Sequence, residues 1–367
     1  VFGGSLCFCE GIRLGRNFSP PQRTDERRVT VLARKKAHEM FSRLTRRQLL
    51  RRACNAAITI GVADRVSLAR SGAATMSAPA AAAPFRFCLN TSTIRGQKLP
   101  LPDEIDLAAQ AGYHAIEPWI SEIEAFTQTG GKLPDLRRRL RDKNLAVPSA
   151  IGFFEWIVDD PEKRKNALEQ AKRDMGLVAA LGGTHIAAPP WGAHDKTKLE
   201  KNVDLLAAAE RYHALCEVGR AAGVIPMVEV WGFSHTLSRL GEAALVAIES
   251  GHADACILAD VYHLHKGGSP IEGLALLQGH RLPVFHVNDY PADPPRAAIQ
   301  DKDRVFPGDG VAPLAAIFSH LRKIGFDGFL SLELFNEAYY KQDAGTIART
   351  GLEKMRAVTA AKTGAAA

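Results

Sequence analysis

From position 85 onward, short apolar runs alternate with longer stretches in which apolar residues recur every three or four positions. The short runs predict strands at 85–89, 115–118, 146–152, 184–187, 225–230, 255–260, 283–287 and 329–334. The longer stretches predict helices near 102–111, 133–143, 161–181, 198–222, 236–250, 271–277, 312–324 and 344–361. Gly112, Gly182, Gly223, Gly251 and Gly325 stand just past helix ends, where a left-handed residue stops a helix.

Strands that alternate with helices imply a parallel sheet. Eight such units imply closure, so the expected architecture is a single-domain α/β (β/α)8 TIM barrel over residues 85–367. That length suits a barrel, which runs to roughly 250 residues. The competing doubly wound sheet would carry Gly-x-Gly-x-x-Gly after its first strand, and none is present.

Charge separates the chain into two parts. Residues 1–85 hold 15 Lys+Arg against 5 Asp+Glu, leaving 32 against 35 for the rest, so the net +7 belongs to the N-terminal segment. The barrel portion therefore has no electrostatic case for binding nucleic acid. Cys7, Cys9 and Cys54 fall in the segment, and Cys88, Cys216 and Cys256 in the barrel. That spacing forms neither a disulfide framework nor a zinc ribbon, and buried inert thiols are expected.

Within the N-terminal segment, Thr45-Arg46-Arg47-Gln48-Leu49-Leu50 precedes Arg51, Arg52 and a weakly apolar run at 53–63. Paired arginines before such a run resemble a twin-arginine export signal. The run falls short of the about 20 residues needed to span a bilayer. Small residues at 77–83, such as Ala78-Pro79-Ala80, offer cleavage sites. Residues 40–84 are thus expected to be signal and linker, read by the twin-arginine export machinery. The mature protein would be periplasmic or exported and free of the membrane. Residues 1–39 are basic and without periodicity; they read as a non-native or disordered extension, with Met40 as the expected start.

In a TIM barrel the chemistry gathers at the C-terminal ends of the strands. The polar residues there are Glu117, Glu229, Asp260 with His263, His286 with Asp289, and Glu333. Glu229, Asp260, His286 and Glu333 close four consecutive strands. Three carboxylates in one mouth repel one another unless a cation lies between them. One imidazole with three carboxylates suits a single divalent ion: Mn2+, Mg2+ or Co2+, with Zn2+ also compatible. Glu229 and Glu333 on opposite walls suit the base and acid of a proton transfer next to a carbonyl.

Met227-Val228-Glu229-Val230-Trp231, Leu258-Ala259-Asp260-Val261-Tyr262-His263, Phe285-His286-Val287-Asn288-Asp289 and Leu330-Ser331-Leu332-Glu333 resemble strand signatures of the xylose-isomerase-like sugar phosphate isomerase/epimerase superfamily. Arg304-Val305-Phe306-Pro307-Gly308-Asp309-Gly310 resembles its Arg-x-x-Pro-Gly-x-Gly loop. The resemblance spans residues 85–361. It implies that Glu229, Asp260, His286 and Glu333 bind the metal, that His263 contacts substrate oxygens, and that Arg304 clamps a substrate hydroxyl or carboxylate. The loop between His286 and Arg304 is longer than in the ketose epimerases, which leaves Arg296 and Lys302 as rivals of Arg304.

Softer candidates are Trp119, Glu155 and His185. Trp119, like Trp156, Trp191 and Trp231, offers a face for a sugar or a packing group. Glu155 offers a hydrogen bond to substrate or a loop salt bridge. His185 fills the mouth or serves structure. Glu117 is a candidate to support the metal ligands from behind. His235, His252 and His265 read as surface or loop histidines.

The expected function is a metal-dependent isomerase or epimerase of a sugar or polyol ketone. The alternative is a lyase on the same barrel, acting on a keto-inositol, a dehydroshikimate-type acid or a 3-keto-glycoside. Further alternatives are an apurinic endonuclease, which the charge and the four-ligand set disfavour, and a non-catalytic sugar-binding barrel. The expected partner is a small carbohydrate; pairing into a homo-oligomer is compatible with the sequence.

Overall fold

A computed structural model describes residues 84–195, 197 and 202–360. The segments read as extension, twin-arginine signal and cleavage stretch lie outside the described residues.

The apolar runs form strands buried on both faces, as parallel sheets require. They are β1 (Arg86–Asn90), β2 (Ala115–Glu117), β3 (His185–Ala188), β4 (Ile225–Glu229), β5 (Cys256–Asp260), β6 (Val284–Val287) and β7 (Phe329–Leu332). All pairings are parallel, in the order β2-β1-β7-β6-β5-β4-β3. The run expected as a strand at 146–152 makes only isolated bridges, at Ala115–Ala146 and Trp119–Ile151. Pro148 lacks an N–H and interrupts any regular ladder there. The segment still joins both free edges. The Ile116 N–H donates to the Ala146 carbonyl at 3.0 Å, and the Ala187 N–H to that of Ala150 at 2.9 Å. Seven ladder strands and this irregular stave together make the expected barrel.

The connecting helices follow the expected pattern with shifted ends. They include α1 (Leu101–Ala111), α2 (Ile120–Gln128), α3 (Leu133–Asp142), α4 (Pro161–Leu181), α5 (Leu205–Ala222), α6 (Leu240–Glu249), α7 (Val261–Gly267), α8 (Leu314–Lys323) and α9 (Ala344–Ala360). Helix α4 shows how its ends are written in sequence. The Asp160 carboxylate accepts the Glu162 and Lys163 N–H groups, Pro161 takes the first turn, and Gly182 adopts φ 88° beyond the last. Helix α5 starts at Leu205 because Asp204 caps it there. The run expected as a helix at 271–277 is a 3-10 turn, Ile271–Leu276. Helices α2 and α7 had no clear sequence signal, being short and set directly after strand ends.

Most of the core lies between helices and barrel wall. A smaller apolar cluster of Ile151, Ala187, Met227, Cys256, Leu258 and Val284 fills the barrel interior. Cys88, Cys216 and Cys256 are free and buried, as expected. Among the described residues no helix is long and apolar enough to cross a membrane.

Candidate active site and metal centre

Parallel strands deliver their last residues to one end of the barrel. Glu117, Glu229 and Asp260 end β2, β4 and β5; His286 is the penultimate residue of β6, and Glu333 follows β7 directly. Register then aligns Asp260 with His286 and His286 with Ser331 across adjacent strands. One ligand atom each from Asp260, His286 and Glu333 lies within 4.8 Å of the others, and all three residues are buried. Glu229 stands beside this tight set rather than in it, also buried.

Glu117 organises the imidazole. Its Oε2 lies 3.0 Å from His286 Nε2 and accepts hydrogen bonds from Ser331 Oγ at 2.7 Å and Asn90 Nδ2 at 3.0 Å. A carboxylate behind a histidine fixes its tautomer and turns the other nitrogen to the site. That nitrogen, Nδ1, is 3.2 Å from Glu333 Oε2 but makes no hydrogen bond of good geometry. Glu229 Oε2 is likewise buried without a partner. Buried polar atoms are almost always partnered. Two unmet ones beside converging carboxylates fit the donor set of a divalent ion.

The charges are strongly perturbed. Burial, then the nearby charge of Glu333, pushes the Glu229 carboxyl up to about 8. Burial would also raise Glu333, but His286 and the Arg304 guanidinium reverse this and hold it well below the usual range. Burial disfavours charge on His286, yet Glu333 and Glu117 outweigh it and raise its pKa. Burial and Arg304 keep His263 neutral.

Arg304 is fully enclosed. Its Nη1 donates to Glu333 Oε2 at 2.8 Å and to Asp260 Oδ2 at 3.3 Å, and its Nη2 contacts Asp301 and His263 Nε2, the latter at 3.1 Å. Its loop is pinned by Asp289, whose carboxylate accepts the N–H groups of Gly308 and Ala312 at 2.9 and 2.8 Å. Gly310 lies so close that a Cβ would come within 2.2 Å of the Tyr290 carbonyl oxygen. Asp289 is thus a loop anchor. Of the rivals to Arg304, Lys302 sits at the rim of the site, and Arg296 is exposed and packs its guanidinium against Gly268.

A cavity of about 330 Å3 opens over these groups. Glu229, His263, Arg304 and Glu333 line it, with Trp119, Phe153, Trp231 and Phe335 as aromatic walls. Trp119 Nε1 donates to Asn90 Oδ1 at 3.2 Å, and the Arg95 guanidinium lies 4.1 Å from its ring centre.

Two expected substrate contacts are not brought here. Glu155 is an outer loop residue 3.5 Å from Lys163 Nζ, the salt-bridge alternative. His185 begins β3 instead of ending it, so it faces the opposite end of the barrel, within 3.3 Å of the Pro148 carbonyl. His252 lies in a loop, as one alternative had it, but is buried, with Nε2 3.1 Å from Glu217. Trp156 is a core residue donating to the Pro189 carbonyl at 2.8 Å. Sequence reasoning missed Asn90 as a site residue. Asn90 donates to both Glu117 and Glu333, the latter at 3.3 Å. Asn288 was quoted only within a motif; it holds Asp260 Oδ2 at 2.7 Å. Both are polar residues at the ends of apolar strands, the signal that marked the acids.

The chain is 27% identical over 276 residues to an inosose isomerase of Bacillus velezensis, covering 75% of this chain and 97% of that protein. It is 24% identical to a 3-dehydro-D-guloside 4-epimerase of Escherichia coli, covering 55% and 76%. Among solved structures, the IolI protein with a bound zinc atom superposes with a TM-score of 0.70 at 24% identity, covering 75% of this chain and 98% of that one. That likeness concerns the fold. Residues 105–358, more than half of the sequence, match one family. The chain belongs to the xylose isomerase-like TIM barrel family.

Proposed function

We propose that this barrel is a sugar isomerase or epimerase that uses one divalent metal ion to move a proton next to the carbonyl of a sugar or polyol ketone. The observation that carries this reading is the convergence of Asp260, His286 and Glu333 on one point, beside Glu229, whose buried Oε2 has no partner. Glu229, Asp260, His286 and Glu333 would hold the ion, Mn2+, Mg2+, Co2+ or Zn2+. When bound, it supplies Lewis acidity for the carbonyl and its developing negative charge.

The protein's own groups divide the remaining work. Glu229 and Glu333 are both buried and both line the cavity. Glu229 and Glu333 would serve as the base and acid of the proton transfer. His263, which lines the cavity, would contact substrate oxygens, while Arg304 holds Glu333 and Asp260 in place. Trp119, Trp231 and Phe335 cover the C–H faces of the ring and exclude water. The inosose isomerase and guloside epimerase relatives support this substrate class.

A second reading is a lyase, in which the same carbanion expels a β-leaving group. It is supported by a 3-dehydroshikimate dehydratase of Pseudomonas aeruginosa, 26% identical over 271 residues but matched over only 39% of its length. The test is metal analysis of the purified protein and of Glu229→Gln, with proton NMR of candidate ketoses in D2O. One ion per chain and deuterium next to the carbonyl are expected, and the product separates isomerase from lyase. A folded protein that binds no ion, or a Glu229→Gln variant with unchanged affinity and activity, would sink the proposal.

We further propose that residues 45–52 direct twin-arginine export. Changing Arg46 and Arg47 together to lysine should trap the protein inside the cell; unchanged fractionation would reject it.

A further inference from the structure

A second cleft, of about 320 Å3, adjoins the catalytic cavity and shares part of its lining. Phe233, Asp301 and Lys302 line both the cavity and the cleft. Tyr262, Lys266, Ile299 and Gln300 complete that cleft. Phe233 stands between the two spaces. Its ring packs 5.2 Å from Trp231 and 5.5 Å from His263, yet the residue is 43% exposed. A large aromatic left half in water at the lip of a site is a stacking platform without its partner.

The cations of this region decide what the platform is for. Arg304 is committed to Glu333, Asp260 and Asp301. Lys266 Nζ is spent on the carbonyls of Ala297 and Ile299, each at 2.8 Å. Only Lys302 is left among these three, and it shares the rim with the acidic Asp301. A phosphate is recognised by several convergent free donors, which this cleft lacks. An aromatic face flanked by an amide and a lone ammonium suits an uncharged ring bearing hydroxyls.

The geometry points to a second subsite: the substrate is a keto-sugar glycoside whose aglycone, a neutral ring, lies over Phe233 in the adjoining cleft. This deepens the proposed function and rests on it. The reacting sugar occupies the inner cavity over Glu229 and Glu333, and its substituent leaves past Phe233 toward Gln300. A free monosaccharide would leave the exposed face of Phe233 and the whole cleft unused.

The experiment follows solvent-deuterium exchange by the metal-loaded protein into three probes: 3-keto-glucose, its phenyl β-glycoside and its 6-phosphate. The glycoside is expected to exceed both others in kcat/KM by about fivefold or more, within the two- to tenfold an aromatic stack supplies. In Phe233→Ala that preference should shrink about three- to tenfold, and in Gln300→Ala, on the far side of the cleft, about twofold. Equal or better exchange of the free ketose or of the phosphate overturns the subsite and leaves the proton-transfer reading standing. So does an unchanged preference in both variants when they are folded. Exchange into none of the three overturns the subsite, and the underlying reading falls with it if a keto-inositol also takes up no deuterium.

Discussion

The two ends of the barrel make an instructive pair. The N-terminal end holds the larger cavity, about 710 Å3, lined by Arg86, Arg137, Arg141, His185, His280 and Asp327. Its arginines stand in solvent, and the His185 ring is already met by Thr184 and the Pro148 carbonyl. At the C-terminal end the cavity over the site is smaller, about 330 Å3. Its Glu229, His263, Arg304 and Glu333 are buried, and Glu229 keeps a carboxylate oxygen without a partner. Charges in water are screened, whereas charges excluded from it interact strongly and perturb one another. Cavity size therefore does not locate the chemistry here; several desolvated groups converging on one opening do. Glu104 shows that one buried acid is not enough. It is enclosed, has an unpartnered Oε2 and is pushed up to about 9 by burial and then by Glu122, but it lines no cavity described above.

The comparison breaks most sharply at Glu333. Glu333→Gln should lower kcat about 1,000-fold, as loss of a proton-transfer group does. Arg137→Ala at the other end should change it less than about twofold, since exposed charges contribute little. Deuterium exchange rates measure both, and similar losses in the two would erase the distinction between the ends.

Arg304→Lys tests whether one planar cation must serve three partners. A lysine cannot reproduce the fork, so kcat/KM should fall about 10- to 100-fold, the worth of one or two charged hydrogen bonds. Glu117→Gln should weaken metal binding about tenfold, measured by competition with a chelator, because the group behind His286 sets its basicity. Unchanged affinity would remove Glu117 from the site.

The smallest effect concerns Glu104. Its folded pKa lies above its ordinary value of 4.5, so folding favours the protonated form. The stability this provides is complete below about 4.5 and is lost as pH rises toward 9. Thermal melts should show Glu104→Gln losing a few degrees less than the parent between pH 5 and pH 9, about 2–4 °C per kcal/mol. Parallel curves would mean that Glu104 is not held protonated.

Some of this was legible without coordinates. Repeated apolar runs and helix-stopping glycines such as Gly182 and Gly223 give the alternation, because strand burial and helix termination are local demands. Glu229, Asp260, His286 and Glu333 announce themselves as polar residues at the ends of runs that are otherwise apolar. The expected strand, 184–187, already set His185 near its start, and as the first residue of β3 it lies about 10 Å, at 3.3 Å per residue, from the C-terminal end. What was not legible is what its ring meets there, Thr184 and the Pro148 carbonyl, because the latter belongs to an irregular neighbouring stave.

The sequence by itself determined the class of fold, the set of acids and imidazole at the strand ends, and the loop that carries Arg304, since each depends on residue type and short-range order. Only the tertiary structure decided which donors are left unmet, that Glu117 supports His286 from across the barrel and Asn90 supports Glu333 from the adjoining strand, and that Glu155 and His185 stand elsewhere. It also set Phe233 in the lining of two neighbouring cavities. Those outcomes depend on strand register and on the exclusion of water, and both exist only once residues more than 200 positions apart, such as Glu117 and Ser331, come into contact.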